Sequence, residues 1–281
     1  MTKIALSLLK ILKMRFGIFN KSVYIGNNMV LLNNAFNLPM VVDSQDMSIS
    51  SSLIICGAYE RNITKVFENI VKAGMNVLEI GANIGWYSLL AAAKVGEKGK
   101  CFIFEANPHI FGYLVRNIII NGFLGHVELI NKAVYNKSGK LNFHIPKYIY
   151  GNSSVREIKN SVNLENDIGC VERINVPAIS IDEYFRGRRT KIDIVKIDAE
   201  GSEPFIFDGM KETILANPDI KIICEFAPNF ISEIGRSPSE FLNSLKDNFP
   251  LRYITSSGKI KHILQSDLLK NKYTELYLSR N

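Results

Sequence analysis

The sequence predicts an α/β fold: a doubly wound, mostly parallel sheet of seven strands, with an N-terminal appendage of helical and short β segments. Two observations support this prediction. Short apolar runs alternate with helical segments along most of the chain, as in parallel sheets. Four of these runs end at or near a carboxylate. Because the carboxyl ends of parallel strands meet at one edge, and ligands bind there, the acids predict a binding site at that edge.

Composition restricts the class of protein but does not identify its partner. The chain has 281 residues, 47% hydrophobic and 22% charged, as expected of a globular protein with a sizeable core. Its net charge of +7 suggests an anionic partner. Nucleic acid, anionic lipid and phosphorylated or nucleotide-linked sugars all remain open. Four cysteines without paired or metal-like spacing predict reduced thiols in a cytoplasmic protein: Cys56, Cys101, Cys170 and Cys224.

The first 21 residues form a separate question. Ile4, Leu8 and Ile11 recur at helical spacing among basic residues, and Lys10 interrupts the apolar run, which argues against a secretory signal. The run is too short to span a bilayer. Such a helix can make peripheral contact with the inner face of an anionic membrane. We favour the alternative, in which it packs on the domain or frays. We predict a helix and cover segment over residues 1–58 and the main domain over residues 59–281.

The stretch from Val77 to Ser88 organises the chain. A buried strand is followed by two glycines four residues apart and then by a helix-forming run. Gly81 permits unusual backbone angles and close approach of a ligand, and Gly85 permits close packing of the helix. The spacing lacks the full dinucleotide motif. Glu79 would repel a pyrophosphate and suits a positive ligand group, which favours S-adenosylmethionine over NAD.

Further residues complete the predicted adenosyl site. Glu105 ends the next strand and can accept both ribose hydroxyls. Asn83 lies in the bend between the two acids, and Ala133 follows a third strand where an adenine ring could rest. Tyr59 could touch the ligand, although a surface cap explains it equally well. A single acid at a strand end is commonly solvated, so the prediction depends on Glu79 and Glu105 together.

The second informative stretch runs from Ile192 to Pro204. Period-two alternation puts Lys196 and Asp198 on one face of a strand, where they can pair. The next strand ends near Glu225, which adds a fourth acid to the edge. Helix capping around Gly201 is the alternative explanation for these acids. A metal held by Asp198, Glu200 and Glu225 is conceivable, but no histidine or close ligand spacing supports it, so we predict none.

Four other segments have simpler interpretations. Leu141 to Ile145 alternates and predicts an added hairpin strand, in which His144 is structural. The polar stretch from Tyr148 to Arg173 predicts a loop over the site. Leu251 to Thr255 and Tyr273 to Leu278 predict a closing antiparallel pair.

In these features the chain resembles the FkbM-type family of S-adenosylmethionine-dependent methyltransferases. The resemblance extends from about Val42 to Glu225, and the order and spacing of its motifs are specific. The motifs are Asp43 to Ile49, Gly57 to Glu60, Glu79 to Gly85, Phe104 to Pro108 and Lys196 to Glu203. The family more often has Pro at Ala106 and Asp at Glu79, and neither change threatens the cofactor site.

The resemblance implies a Rossmann-like class I methyltransferase fold and O-methylation of a sugar, glycan or secondary metabolite. Glu79 would then bind the methionine amino end and Glu105 the ribose, while Asp198, or secondly Glu200, would take the hydroxyl proton. Nucleic acid is not the expected acceptor, because no aromatic-Pro-Pro turn or basic RNA module is found. A nucleic-acid methyltransferase and a non-catalytic, membrane-associated binding protein remain alternatives. The oligomeric state is not predicted.

Overall fold

The computed structural model describes residues 22–158 and 170–280. Its strands, numbered in chain order, are β1 (Ser22–Gly26), β2 (Met29–Asn33), β3 (Pro39–Asp43), β4 (Asn76–Ile80), β5 (Lys100–Phe104), β6 (Val127–Ile130), β7 (Ala133–Val134), β8 (Gly139–Pro146), β9 (Val171–Ile179), β10 (Ile194–Ile197), β11 (Lys221–Phe226), β12 (Arg252–Ile254), β13 (Ile260–His262) and β14 (Thr274–Leu278). Its helices are α1 (Ile49–Cys56), α2 (Arg61–Ile70), α3 (Trp86–Val95), α4 (Pro108–Ile120), α5 (Ile181–Tyr184), α6 (Glu203–Asp208), α7 (Lys211–Ala216), α8 (Pro228–Glu233), α9 (Pro238–Lys246) and α10 (Gln265–Leu268). Single 3-10 turns cover Phe123–Gly125 and Tyr150–Asn152.

The central sheet confirms the predicted fold class. Its strand order is β13-β12-β14-β11-β10-β4-β5-β6. The five strands from β11 to β6 are parallel, and β14, β12 and β13 each pair antiparallel with their neighbour. The sheet has eight strands rather than the predicted seven. The additional strand, β13, is three exposed residues that pair only with β12, so it carries no apolar pattern by which it could be recognised.

Two smaller sheets flank the central one. Strands β1, β2 and β3 form an antiparallel sheet, and β8 pairs antiparallel with β9, which also pairs with β7. The predicted hairpin strand is confirmed as β8, with His144 buried in it. The predicted loop from Tyr148 to Arg173 is corrected at its end, because Val171 to Arg173 begin β9. Residues 159–169 of that loop lie outside the described residues.

The core lies on both faces of the parallel strands, as expected of a sheet covered by helices on each side. Alternation along β4 sends Val77 to the core cluster under α2, α3 and α4, and Leu78 to the cluster under α6 and α9. Residues of β2, β3 and α1 belong to the first cluster. The described part of the predicted appendage therefore packs on the sheet, whereas the predicted amphipathic helix of residues 1–21 lies outside the described residues.

Local capping explains where several helices begin. The Asn107 side chain accepts hydrogen bonds from the amides of His109 and Ile110, and Pro108 occupies the first turn. Ser237 caps α9 in the same way, because its hydroxyl accepts from the amide of Glu240. Cys56, Cys101 and Cys224 carry free thiols, and those of Cys101 and Cys224 are buried. No described helix is both long enough and apolar enough to cross a bilayer.

Candidate functional site

A cavity lies at the carboxyl edge of the parallel strands, at the point where the chain reverses its direction across the sheet. Strand β4 pairs with β5 on one side and with β10 on the other. Such a switch point is where open α/β sheets bind ligands. The empty space is about 1100 Å³, including the part open to solvent. The predicted residues that line it are Tyr59, Glu79, Gly81, Asn83, Glu105, Ala133, Asp198 and Glu200.

The glycine turn is held by close backbone packing. Gly81 has φ +80°, and a Cβ there would lie 1.8 Å from the carbonyl oxygen of Asp198. The turn is thus shaped by contact with the neighbouring strand end as well as by the left-handed backbone angle. Gly85 has φ +94° and precedes α3, where a Cβ would lie 2.8 Å from the Leu114 side chain. It is not among the residues lining the cavity, so its observed role is packing.

Glu79 is the buried acid of the first strand. It is 2% exposed, and its carboxylate accepts a hydrogen bond of 2.6 Å from the Ser88 hydroxyl. Burial raises its pKa to about 8, although Ser88 and Lys196 act in the opposite direction. A cationic group entering the cavity would stabilise the charged form of this carboxylate. The position therefore suits the ammonium that the sequence predicts there.

Glu105 joins the glycine turn to the next strand end. One carboxylate oxygen accepts the amide N–H of Asn83 at 2.8 Å, and the other accepts that of Asn107 at 2.7 Å. Burial raises its pKa to about 7 against these hydrogen bonds. Each oxygen can accept a second hydrogen bond. The side chain can therefore both brace the turn and accept from hydroxyl groups in the cavity. Asn83 holds φ +51° in this turn.

The opposite wall of the cavity is apolar. Ala133 and Val134 form β7 and are buried, and Phe104 and Phe143 also line the space. This surface suits the faces of a planar ring. Tyr59 lines the cavity from the segment before α2, and burial raises the pKa of its hydroxyl, with Glu60 contributing. Its position in the cavity favours the ligand-contact interpretation over the surface cap.

Lys196 lies among acids from three separate parts of the chain. Its Nζ atom lies 3.3 Å from Asp198 and 3.6 Å from Glu275, and the side chain is 1% exposed. Burial alone would lower its pKa, but Asp198, Glu275 and Glu60 together raise it well above the ordinary value. The predicted pairing of Lys196 with Asp198 is confirmed. Glu275, on β14, carries no local sequence signal for this site. Glu60, whose carboxylate accepts from the Tyr87 hydroxyl at 2.7 Å, ends one of the motifs that carry the family resemblance.

The turn after β10 is held by a different acid from the two predicted catalytic ones. Glu203 is fully buried, and its carboxylate accepts the amides of Ala199 at 3.0 Å and Gly201 at 3.3 Å. Among the described residues, these amides of the turn therefore bond to Glu203 and not to Asp198 or Glu200. Glu200 has φ +53°, and burial together with Asp198 and Glu203 raises its pKa to about 8. The two carboxylates are both available to the cavity.

The structure also brings together the three acids considered for a metal. Carboxylate oxygens of Asp198, Glu200 and Glu225 lie within 4.8 Å of one another. Lys196 already provides a positive charge beside Asp198. The absence of a metal therefore stays a prediction.

Hydrogen bonds between two distant segments that line the cavity were not predicted from the sequence. The carboxylate of Asp46 accepts the amide of Tyr150 at 3.3 Å, and the Ser48 hydroxyl accepts that of Gly151 at 3.0 Å. Asp46 also caps α1 through Ile49 and Ser50. The Asp46–Ser48 segment thereby fixes the position of the 3-10 turn Tyr150–Asn152, which lines the cavity. Only the local capping by this loop could be predicted from residue types.

Comparison with known proteins agrees with this geometry. The family described as "Methyltransferase FkbM domain" matches residues 79–252. No curated protein matches the chain significantly. Similar solved structures include an rRNA methylase from Streptococcus thermophilus, with 8% identity, a TM-score of 0.43, and coverage of 77% of this chain and 93% of that one. The O-methyltransferase TomG from Streptomyces achromogenes has 11% identity, a TM-score of 0.45, and coverage of 80% and 82%.

Proposed function

Because the chain belongs to the methyltransferase FkbM domain family, we propose that it uses S-adenosylmethionine to methylate a hydroxyl oxygen of a sugar, glycan or secondary metabolite. The observation that carries the proposal is the placement of Glu79, Glu105 and Asp198 around one cavity at the switch point of the sheet. Acids at three strand ends suit a ligand that combines a cation with hydroxyl groups.

The residues present fit this cofactor. Glu79 would hold the methionine ammonium, directly or through water, and Glu105 would accept from the ribose hydroxyls. Ala133 and Val134 would contact the adenine ring. The lining offers carboxylates where the cofactor is positive and apolar side chains where its ring is flat, and this chemistry supports the assignment.

When bound, the cofactor supplies an activated methyl group on a positively charged sulfur. The protein must then orient the acceptor oxygen and receive its proton. Asp198 is our first choice as the base, because it lines the cavity, is 30% exposed and is fixed in place by Lys196. The methyl–sulfur bond would break as the oxygen–carbon bond forms, and the proton of the acceptor hydroxyl would pass to the Asp198 carboxylate.

Glu200 is the second choice for the base. Its pKa of about 8 lies near neutral pH, which suits proton transfer in either direction. The two carboxylates can also share the task, because oxygen atoms of both lie in the group within 4.8 Å. Substitution of each one separately distinguishes these roles.

The test combines calorimetry with methyl transfer. We expect the full chain to bind S-adenosylmethionine with a Kd in the micromolar range, about −8 kcal/mol, and to transfer label from it to components of a cell extract. Treating the extract with nuclease beforehand separates the acceptors. Loss of labelling after nuclease treatment, with salt-dependent RNA binding, would establish the nucleic-acid alternative that the net charge of +7 keeps open.

Membrane association is a separate part of the proposal. We propose a cytoplasmic protein whose residues 1–21 can contact the membrane peripherally. Liposome flotation of the full chain, compared with a chain lacking residues 1–21, tests this contact. Equal flotation of both would place any membrane contact elsewhere.

A further inference from the structure

A second cavity adjoins the first and extends across β11, β14 and β12. Its empty volume is about 1120 Å³, including space open to solvent. Asn152 and Glu200 line both cavities. A molecule in the second cavity would therefore lie beside Glu200, one of the two candidate bases. This continuity makes the second cavity the natural place for an acceptor.

The lining of this cavity is strongly acidic. Among the described residues that line it there is no lysine, arginine or histidine. Four of the lining residues are glutamates: Glu60, Glu200, Glu225 and Glu275. Lys196 forms an ion pair with one of these glutamates, Glu275, but its side chain is buried and is also paired with Asp198. A phosphate or carboxylate in the cavity would find no cationic side chain in this lining to pair with, and each ionised glutamate would repel it.

Glu225 provides an independent indication of a ligand. It lies directly opposite Glu275 in the pairing of β11 with β14. One of its carboxylate oxygens is fully buried and has no hydrogen-bond partner in the described structure. Such groups normally find a partner. A hydroxyl or an amine of a bound molecule would satisfy this oxygen. Burial and the surrounding acids Asp198 and Glu200 raise the pKa of Glu225.

The remaining lining is typical of recognition of a polyhydroxy compound. The side chains of Thr255, Ser256 and Asn271 offer hydroxyl and amide groups. Tyr273 is 46% exposed and is held edge-on by Phe230. An exposed aromatic ring beside hydrogen-bonding groups can pack against the apolar face of a sugar-like ring.

We propose that the second cavity is the acceptor site, and that it takes a polyhydroxy compound that is uncharged or carries an amine, and not an anion. This proposal rests on the proposed function and narrows its acceptor. It runs against the expectation from the net charge of +7, because the local charge around the cavity, not the total, acts on a bound molecule.

The first experiment uses an extract of the cells that produce the protein, incubated with the full chain and methyl-labelled S-adenosylmethionine. Labelled product is then passed over anion-exchange and cation-exchange resins at neutral pH. We expect the label to pass through the anion exchanger, and to be retained by the cation exchanger only if the acceptor carries an amine. Label retained on the anion exchanger would overturn the acceptor class while leaving the proposed function intact.

The second experiment places the acceptor in the cavity. Glu225→Gln and Tyr273→Ala should lower labelling by about tenfold or more while changing the Kd of S-adenosylmethionine by less than about threefold. Glu68→Gln, an exposed acid on α2, is the matched control and should label as the unmodified chain does. Thermal melting verifies that each variant is folded. If Glu225→Gln and Tyr273→Ala both fold and both label as well as the unmodified chain, the second cavity is not the acceptor site.

The two proposals fail in different ways. If the cofactor binds but nothing in the extract is labelled, the proposed transfer itself is contradicted and the acceptor site falls with it. If labelling occurs but is indifferent to Glu225 and Tyr273, only the acceptor site is wrong.

Discussion

The Nζ atom of Lys196 lies 3.3 Å from a carboxylate oxygen of Asp198, the acid proposed to take the acceptor proton. Lys196 is paired in register with Glu79 on β4 and contacts Glu275 from β14. One buried ammonium therefore stabilises acids that belong to both cavities. The candidate site depends on this charge arrangement as much as on the shape of the cavities.

Removing that ammonium should destabilise the protein. We expect Lys196→Met to lower the free energy of unfolding by about 3 kcal/mol, because it leaves two carboxylates without their partner in a buried setting. Chemical denaturation measures the change. Lys94→Met, which removes a half-buried lysine 3.9 Å from Glu68, is the control and should cost about 1 kcal/mol or less. Equal stability of the two variants would contradict the central role of Lys196.

The glycine turn should not tolerate a side chain. Gly81→Val places carbon atoms against the Asp198 carbonyl oxygen, which a Cβ would approach to 1.8 Å, so we expect measurable cofactor binding to disappear. Gly122→Ala is the control in the left-handed region, with φ +73° and no heavy atom within 4 Å of the added Cβ. It should cost about 1 kcal/mol of stability and leave binding unchanged. Calorimetry on both folded variants measures their affinity for the cofactor. An unchanged affinity in Gly81→Val would contradict the assignment of the cofactor to the cavity at this turn.

Glu105 should contribute directly to cofactor affinity. Glu105→Ala removes the acceptor for two backbone amides and for the proposed ribose hydroxyls, so we expect the Kd to rise about 10- to 100-fold. The exposed residue Glu97 provides the control variant, Glu97→Ala, with no expected change. Titration calorimetry at constant pH measures both. An unchanged Kd for Glu105→Ala would exclude ribose binding by this acid.

Asp198 should affect turnover more than binding. We expect Asp198→Asn to bind cofactor within about threefold of the unmodified chain and to turn over about 100-fold or more slowly, because an amide cannot accept the proton. Glu200→Gln serves as the comparison, since its carboxylate lines the same cavity. If Asp198→Asn keeps full activity and Glu200→Gln loses it, the base is Glu200.

Stability and cofactor affinity should respond to pH in opposite directions. Burial raises the pKa of Glu79 to about 8 and that of Glu105 to about 7, so these carboxyls bind protons more tightly folded than unfolded. Their contribution to stability is present below about pH 4.5 and is lost as pH rises through about 7 to 8. We expect the Tm to fall by at least about 3 °C between pH 5.5 and 8.5. Glu79→Gln should show a shallower fall.

Cofactor affinity should rise over the same interval, because a cation favours the ionised carboxylates. Calorimetry at both pH values, in buffers of different ionisation enthalpy, should show proton release on binding. A Tm that rises with pH, or binding that weakens, would contradict the assignment of these acids.

Local sequence patterns were sufficient to predict much of the fold and of the candidate site. The apolar runs ending in Glu79, Glu105 and Asp198 predicted both the parallel strands and the edge at which they meet, because strand direction brings these ends together. Alternation along β10 predicted the partnership of Lys196 with Asp198. The pattern did not reveal β13, since three exposed residues at a sheet edge bury too little apolar surface to leave a signal.

The sequence by itself therefore determined the α/β class, the acid-lined edge of the sheet and most of the residues that we predict to line the first cavity. Tertiary structure decided which acids act together. Antiparallel pairing of β14 with β11 brings Glu275 opposite Glu225, and Glu203 accepts the amides of Ala199 and Gly201 in the turn after β10. The physical reason is that periodicity records how each segment meets the core, whereas contacts between distant segments depend on how the elements pack.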